Sequence, residues 1–283
     1  MTVPERVIEA NGVELCTESF GEPGDPPILL VMGIGASMLW WEEGFCRMLA
    51  ARERFVLRYD HRDTGRSTTY PPGRPEYTGV DLVMDAVGVL DGYDVAAGHV
   101  VGVSAGGALA QLLALGLPER VRSLVLISTS PAKAIARPLP PPTERYGRFV
   151  QTAHVDWSDD SSVVEYLVEY SRVLAGGERP FPEAAVRELV RADVSRARDI
   201  AAAENHGLAP EGDVWPDPVS TIAAPTLVIH GSADPMFPPE HGEALASEIP
   251  GAAFLLLDGA GHGVARADWP VIVDAIVAHT AGD

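Results

Sequence analysis

The 283-residue chain carries 40 Asp and Glu against 21 Lys and Arg, a formal net charge of -19. That balance repels phosphate and excludes a nucleic-acid binder. With 46% hydrophobic and 22% charged residues the composition is that of a soluble globular protein, and no apolar stretch approaches the roughly 20 residues that cross a bilayer. The opening MTVPERVIEA has no basic start followed by an apolar run, so no secretory signal is read and the expected location is the cytoplasm. Cys16 and Cys46 lie at no metal-ligand spacing and are expected as ordinary half-buried thiols. No acid and histidine cluster has ligand spacing either, so neither metal nor cofactor is expected.

In chain order, residues 6–10 and 14–20 read as strands joined by the hairpin signal Asn11-Gly12. The apolar run 28–32 suits a central parallel strand and leaves through Gly33-Ile34-Gly35, a turn able to offer backbone N–H groups to an anion. Apolar residues at helical spacing, among them Trp40, Trp41, Phe45 and Leu49, predict a helix over 38–54. A strand at 55–60 leads into the charged run His61 to Ser67, expected to be a loop whose arginines and carboxylates satisfy one another. A helix at 77–90, a strand at 99–103, a helix at 105–117 stopped by Pro118, and a strand at 122–128 follow. Strands alternating with such helices mean crossovers and a mostly parallel sheet flanked by helices.

The alternation stops at Pro131. Up to residue 220 no apolar strand is found, and 143–155, 161–174 and 182–206 read as helices after a proline cluster. We therefore expect one α/β core, residues 1–130 and 221–283, interrupted by a helical cap at 131–220. The core resumes with a strand at 225–230, a helix at 240–248, a strand at 253–257 and a helix at 269–280.

Gly102-Val103-Ser104-Ala105-Gly106 stands between a buried strand and a helix. A serine held by glycines on a strained strand-to-helix turn is a nucleophile elbow, but its hydroxyl needs a base and an acid to orient the base. Asp234, in GSADP, and His262, in GAGHG, follow the next two strands. In a parallel sheet the carboxyl ends of strands share one edge, so Ser104, Asp234 and His262 emerge together. The other histidines sit in segments read as structural, although His154 and His206 fall in the cap. With Trp157, Tyr166, Tyr170 and Trp215 those two are candidates to face a substrate.

The Met32-Gly33 turn, DHRDTGRS, GVSAGG, PTLVIHGSADP and GAGH together resemble the α/β-hydrolase fold superfamily over nearly the whole chain. Within it, LLVMG and RYDHRDTGRST are similar to the aclacinomycin methylesterase branch, whose members cleave the methyl ester of a polyketide. The resemblance implies that Ser104 is the nucleophile, His262 the base and then acid, and Asp234 the orienting carboxylate. It also implies an oxyanion hole from the N–H groups of Ile34 and Ala105. Many members have His-Gly at Met32-Gly33 and a bulky Met at Ala105; the first change keeps the backbone donor, and the second widens the space beside the nucleophile.

The expected function is thus a cofactor-free serine hydrolase of a small-molecule carboxylic ester, with Trp40, His154, Tyr170 and His206 as substrate contacts. The same fold also supports carbon-carbon hydrolysis, perhydrolase or haloperoxidase-like chemistry, and lyase or cyclase steps. A silent binding module would not need all three groups of the triad. Epoxide hydrolases and dehalogenases carry an aspartate where this chain has Ser104.

Overall fold

The computed structural model describes residues 4–213 and 215–282. Residues 1–3, at the start of the segment expected to hold no secretory signal, Val214 in the expected cap, and Asp283 lie outside the described residues. β1 (Arg6–Ala10) and β2 (Val13–Phe20) form a hairpin whose turn residues Asn11 and Gly12 have φ of +47° and +76°. A tight hairpin turn needs left-handed backbone at both central positions, which Asn-Gly supplies cheaply.

Six further strands follow: β3 (Pro27–Val31), β4 (Phe55–Tyr59), β5 (Gly98–Val103), β6 (Val121–Ile127), β7 (Thr226–Gly231) and β8 (Ala253–Leu257). The sheet order is β1-β2-β4-β3-β5-β6-β7-β8. Among the described residues only the β1–β2 and β2–β4 pairs are antiparallel. The two faces of the sheet explain why its strands are apolar throughout rather than alternating. Leu29, Val31, Leu57, Val100 and Leu126 pack under α2 (Gly79–Gly92), α3 (Ala105–Gly116) and α7 (Glu240–Glu248). Their neighbours Ile28, Leu30, Val56, Val101 and Ile127 pack under α1 (Glu43–Ala50) and α8 (Trp269–His279). Each such fully buried aliphatic side chain stabilises the fold by about 1.5–3 kcal/mol relative to exposure.

Two predicted helices are divided in the structure. In place of one helix over 38–54 there is a 3-10 turn at Met38–Trp40, capped by the Ser37 hydroxyl, and then α1. The break falls at Trp41, whose carbonyl accepts from the Arg58 guanidinium and the Cys46 thiol instead of continuing a helical ladder. The expected helix over 182–206 is α6 (Glu183–Arg196) followed by a 3-10 helix, Ile200–Gly207. Between them the Arg198 N–H donates to the Gly65 carbonyl at 2.9 Å, and the Asp199 carboxylate caps the Ala201 N–H at 3.0 Å. Tertiary contacts outbid helix propensity in both places.

Between β6 and β7 the chain also forms α4 (Glu144–Thr152) and α5 (Asp160–Leu174). Val163, Val164 and Val168 of α5 pack on Val190 and Val194 of α6 in a small apolar core of their own. Cys16 and Cys46 are free and fully buried rather than half-buried, and burial raises both thiols to about 12. Among the described residues no helix is long and apolar enough to cross a membrane.

Candidate active site

β5 ends at Val103 and α3 starts at Ala105, leaving Ser104 alone at the corner with φ +54° and ψ -123°. A residue with a Cβ pays to be held in that left-handed region, so surrounding contacts must hold the corner shut. They are visible: the Ser104 N–H donates to the Ile127 carbonyl at 2.9 Å, and the Ser104 carbonyl accepts from Gly107 N–H at 2.9 Å and Thr129 Oγ1 at 2.7 Å. A Cβ at Gly106 would come within 2.2 Å of the Val31 carbonyl oxygen, so only glycine lets the helix approach β3. Among the described residues the half-buried Ser104 Oγ has no hydrogen-bond partner, and no such bond joins it to the His262 ring.

Asp234, three residues past β7, is fully buried, and His262, five past β8, is nearly so. His262 Nδ1 lies 2.8 Å from Asp234 Oδ2. A carboxylate only accepts, so Nδ1 carries the proton and Nε2 keeps a lone pair. Asp234 Oδ1 takes the N–H groups of Met236 and Phe237, both at 2.9 Å, which fixes the carboxylate's orientation. His230 stands 3.5 Å from the same carboxylate but gives its Nε2–H to the Phe237 carbonyl at 2.8 Å; burial pushes its pKa down.

The exit of β6 joins the two halves of this arrangement. Ser128 Oγ accepts the Gly263 N–H, beside His262, at 3.1 Å, while Thr129 Oγ1 holds the Ser104 carbonyl. β6 lies between β5 and β7 in the sheet, so consecutive residues touch the elbow on one side and the histidine loop on the other. The end of α5 closes on the same loops: the His262 N–H donates to the Leu174 carbonyl at 2.8 Å.

The turn after β3 flanks the serine directly. A Cβ built on Gly33 would sit 3.3 Å from Ser104 Cβ, and the next residue, Ile34, leaves half its surface exposed. Among the described residues neither the Ile34 nor the Ala105 N–H has an acceptor within the protein. Of these two orphan donors, the Ala105 N–H directly follows the serine at a helix N-terminus, which favours negative charge there.

The charged run 61–67 is a structural loop, but its arginines and its carboxylate find their partners elsewhere and not in one another. Arg62 pairs with buried Asp85 on α2, at 2.7 Å for its Nε. Asp63 accepts from Tyr70 N–H, Tyr77 Oη and Asn205 Nδ2. Asp60, just before the run, binds Arg196 of α6 at 2.7 Å.

The four expected substrate contacts divide. Trp40 donates its indole N–H to Asp193 at 2.8 Å and packs on the α5–α6 core. Tyr170 stacks on Phe149 and on Tyr166, with centroids 5.7 and 6.4 Å away, and those two rings stack on each other. His154 is exposed in the loop after α4. His206 is buried with both ring nitrogens engaged, Nδ1 by the Gly35 N–H at 2.9 Å and Nε2 by the Arg62 carbonyl at 2.7 Å, so it presents no free nitrogen to a ligand.

Sequence reasoning missed Ser128, Thr129, His61 and Leu174. The first two were findable, since they directly follow the strand next to the elbow. The last two act through contacts between distant segments, such as His61 Nε2 on the Met32 carbonyl at 3.0 Å, and nothing local marks them.

Comparison with known proteins places the chain in a family. A family described as alpha/beta hydrolase fold matches residues 26–159, and one described as TAP-like protein matches 203–279. The rhodomycin D methylesterases DauP of Streptomyces sp. (strain C5) and DnrP of Streptomyces peucetius are each 34% identical over 98% of this chain and 98% of their own. Among solved structures, the 2-hydroxy-6-oxo-6-phenylhexa-2,4-dienoate hydrolase of Rhodococcus sp. strain RHA1 shares the fold, with TM-score 0.79, 20% identity, and coverage of 99% of each chain. With a mostly parallel sheet, a strained serine at the end of its central strand, and full-length relatives at this identity, the chain belongs to the α/β-hydrolase fold family, in its aclacinomycin methylesterase branch.

Proposed function

We propose that this protein is a serine esterase whose nucleophile is Ser104; the observation that carries the reading is the buried Asp234–His262 pair, whose loop is tied through Ser128 and Thr129 to the strained serine corner. Ser104 Oγ attacks the ester carbonyl carbon while His262 Nε2 takes the hydroxyl proton. Asp234 keeps Nδ1–H in place and offsets the charge of the imidazolium that forms. The oxyanion of the tetrahedral intermediate is received by the N–H groups of Ile34 and Ala105. When the intermediate collapses, the C–O bond to the alcohol breaks and His262 returns the proton to the leaving oxygen. Water then attacks the acyl-serine with the same base, which releases the acid and restores the serine.

The substrate is a methyl ester on a bulky, ring-containing small molecule. Full-length relatives named as methylesterases support the ester, and the exposed apolar side chain of Ile34 beside Ser104 supports a hydrophobic acyl group. Residues 131–220 form the cap over that site, with the stacked rings of Phe149, Tyr166 and Tyr170 as its aromatic wall.

The test is hydrolysis of an ester panel, from small nitrophenyl esters to methyl esters of polycyclic acids. Ser104→Ala should lower kcat by at least about 10⁴-fold with KM little changed. Turnover that survives in Ser104→Ala rules the mechanism out. Turnover of the small esters alone rules out the bulky substrate.

A further inference from the structure

The three-residue turn that carries the Ile34 N–H is gripped at both ends by buried histidines. His61 Nε2 lies 3.0 Å from the Met32 carbonyl oxygen, and because a carbonyl only accepts, Nε2 carries the proton. At the other end the Gly35 N–H points at His206 Nδ1, 2.9 Å away, so Nδ1 is the acceptor and Nε2–H donates to the Arg62 carbonyl at 2.7 Å. The two rings meet edge to face at 5.8 Å. Inside the turn itself the sole bridge among the described residues is the long Ala36 N–H to Gly33 carbonyl contact, at 3.4 Å. Gly35 is left-handed, φ +73°, so the turn has no regular ladder to keep its peptide planes in place. Its orientation depends on these external bonds.

His206 does not belong to the sheet. It sits in the 3-10 helix Ile200–Gly207, inserted between β6 and β7, and is buried against the core. Its bond to Gly35 is thus a direct link from the inserted segment to the turn beside Ser104. We propose that His206 is a positioning residue for the oxyanion hole: as a neutral acceptor it pins Gly35 and so holds the preceding peptide with the Ile34 N–H aimed at the developing oxyanion. This rests on the reading of Ser104 and Ile34 given above. A donor that swings away from the oxyanion loses most of its value, since preorganisation is what makes such donors effective.

The test separates the acceptor from the bulk of the ring. In His206→Asn the amide oxygen can stand where Nδ1 stands and still receive the Gly35 N–H. In His206→Gln the amide reaches the Nε2 position, keeps the Arg62 carbonyl and leaves Gly35 without its acceptor. Steady-state kinetics on a turned-over ester, affinity for a trifluoromethyl ketone that forms a tetrahedral adduct on serine, and thermal unfolding are measured for both. We expect His206→Gln to lose kcat by about 10- to 100-fold, below the cost of deleting a donor outright, with KM within about twofold. Ketone affinity should fall by the same factor, while His206→Asn stays within about threefold of the parent on both counts. Equal losses in the two variants, tracking their melting temperatures, would mean that His206 only packs, and an unchanged kcat in His206→Gln overturns the proposal.

Should His206→Gln not fold, the unaltered protein supplies the measurement. A scalar coupling across the hydrogen bond between the Gly35 amide nitrogen and His206 Nδ1 is expected in the ketone complex, and its absence there overturns the proposal. Labelling of Ser104 by a fluorophosphonate in every folded variant distinguishes this failure from failure of the esterase reading, which would leave Ser104 unlabelled in the parent as well.

Discussion

At the scale of single residues, burial decides protonation. His61 is fully enclosed, its Nδ1 has no partner among the described residues, and burial lowers its pKa from the ordinary 6.5 to about 3. Between these values the unfolded chain binds a proton that the folded chain refuses. The stability contributed by a neutral His61 is therefore complete above pH 6.5 and is lost as pH falls toward 3. By pH 5 the loss amounts to about 2 kcal/mol from this side chain. His61→Gln, which can still donate to Met32, should show a stability difference between pH 7.5 and 5 that is smaller by about 1–2 kcal/mol in urea unfolding. An unchanged difference would mean that His61 takes up its proton without leaving the fold.

At the scale of elements, the end of α5 serves as a brace for the loops that carry Asp234 and His262. Leu174 receives the His262 N–H, and a Cβ added at Gly176, φ +76°, would strike the Ala233 carbonyl oxygen at 2.2 Å. Gly177 next to it, φ +90°, faces only the end of the Arg145 side chain. Alanine at either position strains the backbone by about 1–2 kcal/mol. Only Gly176→Ala should displace the loop, lowering kcat by about tenfold or more, since ångström-scale misplacement of reacting groups costs up to about 10²-fold. Gly177→Ala should keep kcat within about twofold. Paired kinetics and thermal unfolding check this, and equal kcat in the two variants would remove the brace from the account.

For the molecule as a whole, the inserted helices are bolted to the sheet by charge. Arg196 of α6 reaches the fully buried Asp60 at 2.7 Å and Glu5 at 2.7 Å, and Arg179 holds Asp268 at 2.7 Å. Burial pushes the Asp60 carboxyl up, and the Arg196 guanidinium opposes that shift. Removing one partner of such a pair leaves an uncompensated charge inside, which typically costs about 3–5 kcal/mol. Arg196→Met should destabilise the protein by about 3 kcal/mol in denaturant unfolding, and adding Asp60→Asn should recover part of that. A loss below about 1 kcal/mol would show that solvent reaches Asp60.

Most of the architecture was legible in the order of residues. Runs such as PILLV and FVLRY are apolar on both faces because both faces are covered, and Asn11-Gly12, Gly102 to Gly106 and Pro118 mark turns that few other residues could make. These are local constraints, set by backbone sterics and by the period of burial. That Ser104, Asp234 and His262 each follow a strand was readable for the same reason, and parallel strands deliver their ends to one edge. What the sequence did not determine is everything fixed by pairs of distant segments: the break at Trp41, imposed by Arg58, the partners of the charged run, and the partner of His206, whose ring meets a glycine amide 171 positions away. A histidine's neighbours along the chain do not say which buried N–H it will meet, and only the packed structure brings the donor to it.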